Sequence, residues 1–250
     1  MAHTILITGS NRGIGLALTR ELLQRGHRVI ATCRDVAGAM ELQQLAAAGS
    51  PLLDLQPLDI TCPASVQDLA AHLTAKYTAL DVLVNNAGVL NDGDNRSILT
   101  LDFARLTAAF DINVVGTARI TQAVWPLLAR GNRPRVVNLA SGAGLISTKR
   151  NSNFFAYSIS KAALNMLTRM LEIEGRKQGI CVVGVIPGRV QTRMTNMDAP
   201  LTAPEVAANL AVTLENLQLT ASGAVLDRHG QPCFTGTFTD STGQPCPVGW

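Results

Sequence analysis

Short runs of apolar, mostly β-branched residues alternate along the chain with longer stretches whose apolar positions recur at helical spacing. "HTILIT" (His3 to Thr8) is followed by a helical pattern from Gly13 to Arg25, and "RVIATC" by an Ala/Leu/Gln-rich one from about Ala37. "LLDLQPLDI" precedes a helix that starts behind Pro63 and ends near Lys76. "LDVLVNNAG" leads to a long helical region from Asp102 to Arg130, and "RVVNLAS" to a helix from about Phe154 to Gln178. "CVVGVIP" leads through a loop to "TAPEVAANLAVTLENL", where Thr202 and Glu205 have capping-box spacing.

The strand runs are continuously apolar rather than alternating, as expected when helices cover both faces of a sheet. Such a sheet is parallel, and its crossovers are right-handed. No Pro/Gly-rich linker interrupts the rhythm. The predicted fold class is therefore α/β: one domain over residues 1–250, a doubly wound (Rossmann) parallel sheet of about seven strands with helices on both faces.

From Ser222 onward the rhythm changes. "GAVLDRHGQPC" (Gly223 to Cys233) and "GTFTDSTGQPC" (Gly236 to Cys246) repeat glycine, aspartate, Gly-Gln-Pro and cysteine. "GAVLD" has the position and apolar content of a seventh strand, with "HGQP" as the turn after it. "GTFTD" is more polar and is expected to form an added strand or surface segment. The Gly, Pro and Thr content also fits a disordered tail.

Composition narrows the function. The chain is 47% hydrophobic and 16% charged, enough for a sizeable core, and its net charge of +3 is spread out. No arginine run points to nucleic acid, and no stretch approaches the roughly 20 apolar residues of a membrane span. A strand starting at Thr4 leaves no room for a signal peptide behind Met1. The cysteines Cys33, Cys62, Cys181, Cys233 and Cys246 lack C-x-x-C spacing, which fits a reducing compartment. The expected location is cytoplasmic. The histidines are isolated, so no metal is expected. Closed homo-oligomers are common, but the sequence does not choose between a monomer, a homodimer and a homotetramer.

Between the first strand and the first helix stands "ITGSNRGIG", with glycines at Gly9, Gly13 and Gly15. A glycine-rich βα turn is where a helix N-terminus can receive a phosphate, although the loop read alone is equally an ordinary packed turn. Four further features join it: "NNAG" (Asn85 to Gly88) at the end of the fourth strand, Asn113 in the following helix, Ser141 at the end of the fifth strand, and "YSISK" (Tyr157 to Lys161) on the next helix. In this order they resemble the classical short-chain dehydrogenase/reductase family, over Thr4 to Leu217. "ATCRDV", "APLTAPE" and the terminal Trp250 are similar to its carbonyl-reductase group, which includes sniffer and C-factor proteins. The doubled tail departs from that group.

Tyr157 and Lys161 are four residues apart and share a helix face. An adjacent ammonium favours a phenolate, so the sequence predicts a lowered tyrosine pKa and acid–base exchange with a carbonyl oxygen. Ser141 would hydrogen-bond that oxygen. The resemblance implies that Asn113 holds a water relaying protons to Lys161, and that Lys161 also holds the nicotinamide ribose. The cofactor would lie on Gly9, Ser10, Asn11, Arg12, Gly13 and Ile14, and on Asn86, Ala87 and Gly88. Asp59 and Ile60 would bracket the adenine. Pro187, Gly188, Val190 and Thr192 of "PGRVQT" would touch the nicotinamide end. Where NAD enzymes place an acid after the second strand, this chain has Cys33 and then Arg34. With Arg12, Arg34 can pair with a 2′-phosphate, so the expected cofactor is NADP(H). Asp35 reads as the N-cap of the next helix.

The connection from Thr192 to Thr202 is too short for a helical lid, so an open cleft is expected. Its predicted walls are Leu90, Ile146, Phe154, Phe155, Arg189 and Met194. The reading is an NADPH-dependent reductase interconverting a small ketone or aldehyde and an alcohol. Its rivals are an NAD-dependent alcohol dehydrogenase of the same fold and a nucleotide-sensing regulatory protein without turnover.

Overall fold

The structure is a computed structural model that describes residues 2–93 and 97–233, and the backbone of 236–239 and 245–248. Seven strands, β1 (Thr4–Ile7), β2 (Arg28–Cys33), β3 (Leu53–Pro57), β4 (Val82–Asn85), β5 (Arg135–Leu139), β6 (Cys181–Ile186) and β7 (Val225–Asp227), form one sheet in the order β3-β2-β1-β4-β5-β6-β7. Every pairing within it is parallel. The order reverses between β1 and β4, and in doubly wound sheets the crevice at such a reversal receives ligands.

Successive strand residues supply opposite cores, which explains the uninterrupted apolar runs. Ile5, Ile7, Val29, Ala31, Val82, Val84, Val137, Val183 and Val185 pack on one face, under α1 (Gly13–Gln24), α2 (Met40–Ala47) and α7 (Ala203–Asn216). Leu6, Ile30, Leu83, Val136 and Val182 pack on the other, under α3 (Pro63–Lys76) and α5 (Thr117–Leu128). The long helix expected after Asp102 is α4 (Phe103–Phe110) running into α5 through a π turn at Asp111–Gly116. The side chain of Asp102 caps it, accepting from Ala104 and Arg105 amides. The last long helix before β6 is α6 (Phe155–Arg176).

Two local expectations are corrected. The helix after β2 begins at Met40, and its N-cap is Ala39 rather than Asp35. Asp35 Oδ1 accepts from the Gly38 amide at 2.9 Å and so closes the turn ahead of the helix. At α7, Thr202 accepts from the Glu205 amide at 3.3 Å, which makes one half of the capping box.

The first copy of the repeat supplies the closing strand. Gly184, Val185 and Ile186 of β6 pair with Val225, Leu226 and Asp227. The turn follows at "HGQP": Gly230 donates to Asp227 O at 3.1 Å, and the Asp227 amide donates to Gln231 O at 2.8 Å. The second copy contributes β8 (Gly236–Thr239), which pairs antiparallel with β9 (Pro245–Val248) in a separate two-stranded sheet. Residues 234–235, 240–244 and 249–250 lie outside the described residues.

Candidate active site

The predicted site residues lie beyond the carboxyl ends of the strands, on loops or helix starts except for Asn113 in the π turn and Lys161 in the second turn of α6. After β1 the chain turns at Gly9 (φ +70°) and again at Gly13 (φ +55°), conformations that glycine adopts at little cost. A Cβ at Gly15 would collide with Gly9 O and with Asn86 Nδ2, so the helix start sits hard against the loop. Ser10 is buried, donating its amide to Thr32 O at 2.8 Å and its hydroxyl to Ile7 O at 3.0 Å. Asn11 and Arg12 are exposed. Arg12 is the N-cap of α1 and offers no side-chain acceptor, so the first-turn amides, Ile14 among them, are left facing outward. Such amides suit an anion.

The "NNAG" segment clamps this loop. Asn86 Nδ2 donates to Thr8 O and Gly9 O at 2.8 and 2.9 Å, and the Asn86 and Ala87 amides donate to Thr8 Oγ1. Asn86 therefore shapes the glycine loop with its side chain. The loop after β6 closes the other side: a Cβ on Gly13 would stand 3.2 Å from Thr192 Cγ2. Gly188 has φ +88°, and the buried Val190 bridges to Leu201, fixing the base of "PGRVQT", with Pro187 at its start. Arg34 is exposed, and among the described residues neither Arg12 nor Arg34 donates a side-chain hydrogen bond. Asp59 Oδ1 accepts from Thr61 amide and hydroxyl at 2.9 and 2.7 Å; these bonds, with Arg34 and Arg119 nearby, hold its carboxyl below the usual range. Ile60 is buried against the π turn at Gly116.

The catalytic candidates converge on one end of α6. Lys161 is buried, lies 5.7 Å from the centre of the Tyr157 ring, and donates from Nζ to Leu139 O at 2.7 Å. Burial pushes its pKa down to about 8. Ser141 stands two residues beyond β5, and its Oγ accepts from the Ala143 amide at 3.1 Å. Its hydroxyl favours the Tyr157 phenolate. The predicted lowering of the tyrosine pKa by its lysine is corrected. Burial is the largest influence and raises Tyr157, Ser141 opposes it, and Asp92 adds to the rise. The reason is that enclosing a phenol away from water penalises its charged form more than the hydroxyl neighbour compensates.

Asn113 is buried in the π turn. Its Nδ2 donates to Val89 O at 3.0 Å and Ser160 Oγ at 2.9 Å, and its Oδ1 accepts from the Val89 amide at 2.9 Å. The side chain thus braces the segment after Gly88 against α6. Leu90 follows on that segment. Ile146, 70% exposed, and Phe154 and Phe155 lie on the connection from Ser141 to Tyr157. Arg189, which donates to Asp198 O at 3.1 Å, and the exposed Met194 lie on the loop after β6. Sequence reading missed Asp92. It is buried and accepts from the Ala156 and Tyr157 amides. A buried carboxylate four residues after "NNAG" has no local signature; its partner lies 64 residues away.

A doubly wound sheet with a glycine-loop anion site and an adjoining Ser-Tyr-Lys cluster defines a nucleotide-dependent oxidoreductase. The chain belongs to the short chain dehydrogenase family, whose model matches residues 3–200. It is 33% identical over 226 residues to 1-hydroxy-2-glutathionyl-2-methyl-3-butene dehydrogenase of Rhodococcus sp., covering 88% of this chain and 94% of that protein. Among solved structures it is similar to NADPH-bound carbonyl reductase from chicken fatty liver (32% identity, TM-score 0.85, 92% of this chain and 98% of that one). It is also similar to carbonyl reductase Sniffer of D. melanogaster (30% identity, TM-score 0.87, 93% and 99%). Among the described residues no helix is long and apolar enough to cross a membrane, and no group of His, Cys, Asp or Glu side chains could hold a metal ion.

Proposed function

We propose that the protein is an NADPH-dependent carbonyl reductase in which Tyr157 is the general acid. The observation that carries this reading is the enclosed phenol with the buried Lys161 5.7 Å from its ring centre. Burial raises the tyrosine above its ordinary value of 10.0, so it holds a proton that it can donate to a carbonyl oxygen. The glycine cradle and the uncapped first turn of α1 fit a pyrophosphate, and Arg12 and Arg34 fit a 2′-phosphate. Asp59 and Ile60 border the adenine end, and Pro187, Gly188, Val190 and Thr192 the nicotinamide end.

When bound, NADPH supplies the hydride. Ser141 and Tyr157 receive the substrate oxygen between them, and Tyr157 passes its proton to that oxygen as negative charge grows there. The Lys161 ammonium, buried beside the ring, stabilises the tyrosinate left behind. Asn113 ties the segment after "NNAG" to α6. Chicken carbonyl reductase and Sniffer are named for carbonyl reduction and the Rhodococcus relative for a hydroxy compound, so alcohol–carbonyl interconversion is common to all three. Tyr157→Phe keeps the ring and removes the proton. Its kcat for reduction should fall about 10²–10⁴-fold, with the Kd for NADPH nearly unchanged. Wild-type turnover by this variant removes Tyr157 from the mechanism.

A further inference from the structure

The first turn of α6 has an unusual cap. Phe154, the N-cap, is held in the left-handed region (φ 57°, ψ 54°) and offers no side-chain acceptor. A non-glycine residue there is strained, and the next amides need partners. Asp92, in the loop beyond "NNAG", reaches over to supply them. Its Oδ1 accepts from the Ala156 amide at 2.6 Å, and its Oδ2 from the Tyr157 amide at 3.1 Å. These are the second and third amides of the helix, the pair an N-cap side chain ordinarily serves. The loop that carries Asp92 is itself anchored. Asn113 holds Val89 through both amide and carbonyl, and Arg105 Nη1 donates to Asn91 O at 2.7 Å.

We propose that Asp92 is a positioning residue for Tyr157: it caps α6 from the cofactor-side loop and so ties the proton donor to the segment that shapes the glycine loop. The charged groups near the phenol are Lys161 on its own helix and Asp92 on the loop after β4, with Lys149 near the Asp92 carboxylate; the Ser141 hydroxyl beyond β5 also acts on it. A carboxylate so placed opposes tyrosinate formation, and helps keep the donor protonated. This inference rests on Tyr157 being the acid.

The test uses full-length wild type, Asp92→Ala, Asp92→Asn and Tyr157→Phe. Amide hydrogen exchange at Ala156 and Tyr157 is measured alongside NADPH-dependent reduction of para-nitrobenzaldehyde and NADPH affinity by fluorescence. In Asp92→Ala the two amides should lose protection and kcat should fall about 10–100-fold, since small misplacements at a reacting centre cost that much. KM and NADPH affinity should stay near wild type. Asp92→Asn keeps one acceptor and should recover part of kcat. With the negative charge gone, its activity should decline at lower pH than wild type, because the tyrosine then loses its proton earlier. Unchanged protection, wild-type kcat in Asp92→Ala beside an inactive Tyr157→Phe, or a loss of kcat matched by an equal loss of NADPH affinity would each overturn the proposal. An active Tyr157→Phe would instead overturn the assignment of the acid, and the exchange data would still decide whether Asp92 caps the helix.

Discussion

Replacing Lys161 by methionine isolates the consequence of enclosing its charge. Burial brings the lysine from its ordinary 10.5 down to about 8. Below pH ~8 the side chain is protonated in folded and unfolded chains alike, and the fold bears the full cost of an enclosed ammonium. Between about 8 and 10.5 the folded chain has released that proton while the unfolded chain keeps it, so stability rises with pH. At about 1.4 kcal/mol per pH unit, the whole interval corresponds to roughly 3 kcal/mol. Methionine has similar reach and no ionisation. The stability advantage of Lys161→Met over wild type should therefore shrink by about 2 kcal/mol between pH ~7.5 and ~9.5. The variant also loses the 2.7 Å bond to Leu139 O, a pH-independent offset of ~1 kcal/mol; the slope alone bears on the argument. Urea unfolding of both proteins, followed by tryptophan fluorescence across that range, measures it. A difference that does not vary with pH would refute the claim that the fold depresses this lysine.

Arg34→Ala should weaken NADPH by ~1.5–3 kcal/mol, the worth of a charge-assisted bond, and leave NADH nearly unchanged; titrating both cofactors distinguishes this from an equal loss, which would make Arg34 structural. Truncation after Cys233 should leave a folded, active enzyme, because β7 already closes the main sheet and, among the described residues, β8 and β9 pair with each other in a separate sheet. Loss of the cooperative melting transition in the shortened chain would show instead that the second copy is part of the fold.

The family and the sheet were open to sequence reading because they rest on short-range pattern. Runs such as "ILI" (Ile5 to Ile7) and "VLV" (Val82 to Val84) are apolar at every position since successive residues face opposite cores, and that alternation of layers follows from the parallel crossovers. Gly9, Gly13 and Gly15 stand out because a turn and a close approach admit nothing larger. The order of Asn, Ser, Tyr and Lys along the chain pointed to the proposed chemistry, and part of that signal is local: Tyr157 and Lys161 share a helix face whatever surrounds it. What the tertiary structure alone decided is the environment of those groups. A sequence places a lysine beside a tyrosine but does not say that both are desolvated, and desolvation reverses the expected direction of the phenol's pKa. Nor does it say that Asp92 meets the start of α6, since that contact depends on how the loop after β4 crosses the sheet edge. Local propensity acts within a few residues of itself, whereas burial and cross-loop hydrogen bonds are set by which strand lies beside which.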